Sequence, residues 1–350
     1  MESLTFCAYA DLHYKKGMYI ASVDDMRTII DRADKDGAAF AIHLGDFCND
    51  YIRSPELFKA CLDNYNGLPV YGIYGNHELE SAGNSMGRVT PMLNNQEVTW
   101  GTSDGKIGDG TTAYYSFDIG IFRIIGLDSN YSLSPEGNWQ HNNTASWGPP
   151  AGNKYPNSLG SVQLAWFENM LDDAARTGKH CLVFAHVGYS GIDESVYDAE
   201  MIRAIYKKAN SINPATVIAS FNGHYHNDTH TIIDNVVYLG INTVRNCLWI
   251  PQRVNHYTTE TYSFTDYDED GMPLSTTDTL VDKLTMGKNT WFSAKPLSAI
   301  ITVTADGIVT VNGEESEWYA GVIPDSPKSD EKVKITSGVY NTRSGDYTIY

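Results

Sequence analysis

Basic residues are scarce in this chain: 25 lysines and arginines stand against 43 aspartates and glutamates, a formal charge of -18 over 350 residues. No basic stripe remains along which a nucleic-acid backbone could be tracked, so small molecules are favoured as partners over DNA or RNA. That exclusion holds for the surface only, because a bound cation inverts the field inside a site whatever the rest of the molecule carries. Cysteine is sparse too. Cys7, Cys48, Cys61, Cys181 and Cys247 are scattered, odd in number and form no C-x-x-C pair, which argues against a disulfide framework and against thiolate zinc chemistry. Cys7 in LTFCAYA and Cys181 in HCLVFAH read as small buried hydrophobes. No apolar run is long enough to span a bilayer. The opening MESLTFCAYADLHY enters a strand at once instead of forming a leader, which leaves the compartment open between the cytoplasm and export after a leader is trimmed. Internal repeats and low-complexity tracts are absent.

What is present is a regular alternation of β-rich and helical-period segments, which predicts an α/β layered fold. Strands are expected at Leu4 to Ala10, Ala38 to Leu44 and Val70 to Tyr74, with helices at Val23 to Lys35 and, capped by Ser54, at Pro55 to Asn64. YYSFDIGIFRIIGLDS reads as a hairpin turning near Asp118 to Gly120, and residues 134–160 as an inserted loop. An amphipathic helix in SVQLAWFENMLDDAARTGK stops at Gly178, and the strand HCLVFAH follows. A helix from about Ser195 to Asn210, the strand TVIASF and a hairpin turning at Asp234 and Asn235 come next. These segments place one enzyme-sized domain in residues 1–293. Residues 294–350 read as a small C-terminal β appendage, with a turn at Asp306 and Gly307, and a tail whose last twenty-five residues are polar enough to be poorly ordered.

The predicted strands end in polar residues that a buried sheet has no reason to contain: Asp11 and His13, Asp46, Asn76 and His77, His186, then His224 and His226. Ligands of open α/β sheets bind at that edge, where loops converge on rigid strands. One such residue is commonly a cap or a satisfied core group. Burying all of them together without a compensating cation would cost several kcal/mol for each, so a metal cluster is the economical explanation. Gly45, Gly75 and Gly223 stand where the chain must turn sharply beside these groups.

The segments DLH at 11–13, GD at 45–46, GNHE at 75–78, His186 in AHVGY and GHYH at 223–226 resemble, in order, the five motifs of the calcineurin-like metallophosphoesterase superfamily. The resemblance covers roughly residues 4–245. It implies a calcineurin-like four-layer β-sandwich flanked by helices, with two divalent metal ions at the motif edge. It further implies that Asp11, His13 and His226 bind one metal and Asn76, His186 and His224 the other, with Asp46 bridging both. Mixed carboxylate, imidazole and amide donors suit Mn²⁺, Fe or Zn²⁺ without choosing among them. With two cations about 3.5–4 Å apart, a bridging water would lose a proton near neutral pH and attack phosphorus in line. His77, not a ligand in the family pattern, would protonate the leaving alkoxide as general acid; the plainer alternative is an orienting hydrogen bond. Glu78 and Asp128 are expected as supporting residues, Asp128 with turn capping as the alternative.

Departures from the pattern narrow the ester. GDFCND lacks the Asp-Arg pair of protein Ser/Thr phosphatases, and Asn49 stands where purple acid phosphatases place a metal-bound Tyr. The QLAWFENML helix after LDS and the GHYH ending look most similar to the phosphodiesterase and pyrophosphatase-like branch, which implies a small phosphodiester or nucleotide-like substrate. Competing readings are a phosphomonoesterase of the same fold, a non-catalytic metal-binding module, and a dinuclear hydrolase of carbon esters. Trp147 and Trp249, on segments that follow motif-bearing strands, are candidates for a substrate rim, against the plainer expectation that they anchor long loops. DYDEDG at 266–271 opens like a calcium-binding loop, but Pro273 and the missing Glu at position twelve make it an acidic turn. Oligomeric state leaves no mark on the sequence.

Overall fold

The computed structural model describes residues 2–13, 23–47, 67–79, 98–101, 113–142, 152–191, 197–249, 260–267, 273–281, 290–318 and 332–350. The helix expected at 55–64 and Trp147 lie outside them. Two seven-stranded sheets dominate. The first runs, in spatial order, through Asp346–Ile349, Gly338–Asn341, Ile308–Gly313, Ala299–Thr304, Ser3–Tyr9, Ala41–His43 and Val70–Gly72. The second runs through Thr229–Ile233, Val236–Gly240, Val217–Asn222, His180–Phe184, Phe122–Gly126, Tyr115–Ile119 and Thr99–Trp100.

Strand alternation builds the layers. Phe6 and Ala8 of the first sheet face Phe184 and Phe221 of the second across a common core, with Phe6 edge-on to Phe184 at 5.6 Å and to Phe221 at 5.4 Å between ring centroids. The alternate residues Cys7 and Tyr9 point outward onto Met26, Ile29, Ile30 and Ala33 of the helix Val23–Lys35. Cys181 and Val183 point outward onto Phe167, Leu171, Ile202 and Tyr206 of the helices Gly160–Thr177 and Ala199–Ile212. The result is a helix–sheet–sheet–helix sandwich, the four layers the motifs implied. Cys7 and Cys181 are fully buried and unbridged, and burial pushes both thiols up to about 12, in keeping with a packing role. Among the described residues no helix is long and apolar enough to cross a membrane.

The local turns follow their chemistry. Gly178 ends its helix in the left-handed region at φ 71°, its N–H on the carbonyl of Ala174. Asp234 and Asn235 both take positive φ between two paired strands, the geometry of a two-residue hairpin. Segment 134–160 departs from the expected loop: Trp139–His141 and Lys154–Ser158 pair on either side of Tyr131–Leu133 in a small sheet. The C-terminal β unit is built into the first sheet. Ala299–Thr304 pairs with Ser3–Tyr9 from Ala8↔Ala299 to Ser3↔Thr304, removing an edge that would otherwise expose unpaired backbone. Within residues 332–350 of the polar tail, Tyr340 turns inward and is fully buried while its strand extends the sheet.

Arg245 ties this unit to the rest. Its guanidinium lies 2.7 Å from Asp25 at the start of the first helix, and it donates to the carbonyls of Ser293 (3.2 Å) and Ala294 (2.5 Å). Both side chains are nearly buried, at 12% and 8% exposure. Arg245→Met removes one side of a buried ion pair and is expected to cost about 3 kcal/mol. Urea denaturation checks this, and a change within about 0.5 kcal/mol would mean that the clamp contributes no more than a surface contact.

Candidate metal centre

The strands Ser3–Tyr9, Ala41–His43 and Val70–Gly72 run parallel, and so do Phe122–Gly126, His180–Phe184, Val217–Asn222 and Val236–Gly240. Their C-terminal ends therefore open at one edge, and the backbone there is cross-linked loop to loop. Asp11 N–H donates to Gly45 O (3.1 Å), His13 N–H to Asp46 O (2.8 Å) and Gly223 N–H to His186 O (3.1 Å).

The loops are also wound unusually. Asp11, His13, Asp46, His224 and His226 all have φ between 50° and 68°, a region that side chains other than glycine seldom occupy. Five such residues in one cluster is strain of the kind that accumulates at functional sites. At Gly45, φ is 92° and an added Cβ would lie 2.5 Å from His186 Nδ1, so only glycine lets the imidazole approach this closely.

Asp11, His13, Asp46, His77, His186 and His226 are buried. Three donor groups form, each with ligand atoms within 4.8 Å of one another: Asp11, His13 and His226; His13, Asp46 and His77; and Asp46, His186 and His224. His13 Nε2 faces His226 Nε2 at 3.1 Å, and His186 Nε2 faces His224 Nδ1 at 3.2 Å. His186 Nε2 also lies 3.1 Å from Asp46 Oδ2 and 3.2 Å from Asn76 Oδ1. His186 Nδ1 is 2.7 Å from the Leu44 carbonyl and donates to it, which turns Nε2 toward this cluster as the atom where a metal would replace a proton. Lone pairs of imidazoles, carboxylates and an amide oxygen meeting at one place repel unless a cation lies among them, so the donor set fits divalent metal.

The protein's own charges point the same way. Burial drives Asp11 well above the usual carboxylate range, and the Asp46 carboxylate adds to it, against the favourable His186. Asp46 is held well below that range: burial opposes this, but His186 and His77 outweigh it. His186, which burial alone would lower, is pushed up to about 10 by Asp46, whereas burial and the neighbouring His186 push His224 down to about 3. The cluster thus draws positive charge inward onto the side chain nearest Asp46.

The remaining expected residues surround this core. His77 begins a single 3₁₀ turn, His77–Leu79. Its N–H donates to Asp46 Oδ1 (2.8 Å), and its Nε2 lies 3.9 Å from Asp46 Oδ2 with the ring edge-on to His13. Glu78 Oε2 accepts from both Gly75 N–H (2.6 Å) and Asp46 N–H (2.9 Å), clamping two loops together, while burial and Asp46 push its carboxyl up to about 8. Asp128 is fully buried behind the GNHE loop. Trp249 lies on the strand Asn246–Trp249, paired with Thr290–Phe292, and its side chain is outside the description. Among the described residues Trp139, Tyr155 and Tyr197 form a partly exposed aromatic cluster, with Tyr155 stacked on Tyr197 at 3.8 Å.

Sequence reasoning missed His43, Asn130 and His141. His43 Nδ1 accepts from Gly45 N–H (3.1 Å), and burial with His186 nearby pushes the imidazole down to about 3, so it is a neutral prop for the Gly-Asp turn. A histidine inside the apolar run AIHL was the available signal. His141 lies in the insertion, with nothing in its neighbourhood to mark it.

Such a nest of convergent acidic and imidazole donors at the strand ends of an α/β sandwich has the make-up of a divalent-metal centre. The chain matches the calcineurin-like phosphoesterase family over residues 4–228 and belongs to it. It is 24% identical over 227 residues to a manganese-dependent ADP-ribose/CDP-alcohol diphosphatase of Arabidopsis thaliana, an alignment covering 55% of this chain and 68% of that protein. Its fold is shared with a dimetal phosphatase from Danio rerio, at a TM-score of 0.53, 15% identity and coverage of 96% and 99% of the two chains.

Proposed function

We propose that the protein hydrolyses a small phosphodiester or nucleotide-like phosphate ester using two divalent cations, Mn, Fe or Zn. Asp11, His13 and His226 would hold one, Asn76, His186 and His224 the other, and Asp46 would bridge them. Bound there, the cations supply Lewis-acid stabilisation of phosphoryl charge and a nucleophile at neutral pH. The observation that carries the reading is the shared position of Asp46, whose carboxylate belongs both to the group with His13 and His77 and to the group with His186 and His224, while His13 also belongs to the group with Asp11 and His226. Similarity to a protein named for cleaving ADP-ribose and CDP-alcohols supports a nucleotide joined through a diphosphate as the substrate class.

In this reading His77 gives its ring proton to the leaving oxygen, and its N–H bond to Asp46 fixes where the ring stands. Loss of the imidazole matters most when the leaving group is a poor one. His77→Ala is expected to lower kcat about 10²–10³-fold on an alkyl phosphodiester, and much less on bis-p-nitrophenyl phosphate, whose phenolate departs without a proton. Equal losses on both esters, with both metals retained, would make His77 an orienting residue only.

A further inference from the structure

Asn130 has a role that the metal-binding motifs do not account for. Its amide nitrogen lies 3.3 Å from the carbonyl of Gly75 and 2.9 Å from Asp128 Oδ1. Both partners are acceptors, so the two N–H bonds of one amide are shared between them and the side chain can face them in only one sense. The Gly75 carbonyl belongs to the same planar peptide unit as the Asn76 nitrogen, so holding the carbonyl fixes the plane from which Asn76 projects. On the other side of Gly75, Glu78 holds the N–H at 2.6 Å. Asn76 Oδ1 then stands 3.2 Å from His186 Nε2.

Asn130 is itself held from behind. Its backbone N–H donates to Asp128 Oδ1 (3.0 Å), while His141 Nε2 meets Asp128 Oδ2 at 2.9 Å. Gln163 brackets the Asp128 backbone, accepting from its N–H (2.8 Å) and donating to its carbonyl (2.7 Å). His141 comes from the strand Trp139–His141 of the insertion, which is joined to Asn130 again by Asn142 N–H on the Asn130 carbonyl (2.7 Å). Asp128, Asn130, Asn142 and His141 are all at least nine-tenths buried. A chain of buried bonds thus runs from the insertion to the loop that carries Asn76.

We infer that Asn130, braced by the Asp128–His141 pair, is the positioning residue for Asn76, so that the small insertion sheet sets the affinity of the metal site Asn76 serves. The inference rests on the two-metal reading of the centre above. Groups that orient metal ligands typically change affinity about 10–100-fold when removed.

The test is Mn²⁺ titration of the metal-stripped full chain, followed by the electron paramagnetic resonance of free Mn²⁺, with apo melting curves beside it. Asn130→Ala is expected to weaken one of two sites about 10–100-fold and leave the other nearly unchanged. His141→Ala should weaken the same site, and His141→Gln, whose amide can still donate to Asp128, should restore much of it. The His141 pair also serves if Asn130→Ala does not fold. Unchanged affinity at both sites, or equal weakening of both alongside a lower apo melting temperature, would overturn the inference. A wild-type protein that binds fewer than two Mn²⁺ would instead overturn the two-metal reading beneath it.

Discussion

Asp46→Asn is expected to leave the protein folded, to lower turnover about 10³-fold or more, and to leave at most one metal ion per chain. The substitution keeps an oxygen to accept from His77 N–H, now at 2.8 Å, so the loop retains its internal bond. What it removes is the negative charge facing His186 at 3.1 Å and shared by two donor groups. Several kcal/mol of transition-state stabilisation depend on correctly held cations, and each 1.36 kcal/mol is about a factor of ten in rate. Metal content by mass spectrometry and turnover of a phosphodiester check the two halves separately. Full activity with two metals would remove Asp46 from the bridging position.

Gly75→Ala is expected to have an effect nearly as large through shape alone. A Cβ at this position would stand 2.1 Å from Asp46 Oδ1 and 2.5 Å from Asp46 N. The backbone is not free to retreat, because Glu78 holds the amides of Gly75 and Asp46 together and Asn130 holds the Gly75 carbonyl. Asp46 and Asn76 must therefore shift, and a displacement of about 1 Å in a catalytic constellation can cost about 10²-fold. Metal affinity should fall with activity. A Gly75→Ala protein with normal metal content and rate would show that the loop has slack the hydrogen bonds do not suggest.

The sequence was legible where function and local periodicity coincide. The helix Val23–Lys35 and the Gly178 stop follow from apolar spacing and a glycine that accepts the left-handed region. All of the strand-end residues Asp11, His13, Asp46, Asn76, His77, His186, His224 and His226 come together at one edge, because parallel strands bring their C-terminal ends there. Three things could not be read. Pairing of Ser3–Tyr9 with Ala299–Thr304 joins segments far apart in the chain, and no local pattern encodes a contact so remote. Left-handed backbone at five of the expected ligands is imposed by tertiary contacts, since the enrichment of Asp and His in that region is too weak to announce it residue by residue. The bracing of Asp128 by His141 joins a strand end to an insertion whose short strands are too polar to show periodicity.

We propose, then, that this acidic chain is a two-metal phosphoesterase. Metal-stripped protein reloaded with Mn²⁺ and assayed on bis-p-nitrophenyl phosphate tests it most directly. The expected result is turnover that appears only with metal and saturates at two ions per chain. Two bound ions with no turnover of this diester, of p-nitrophenyl phosphate or of a nucleotide diphosphate would contradict it.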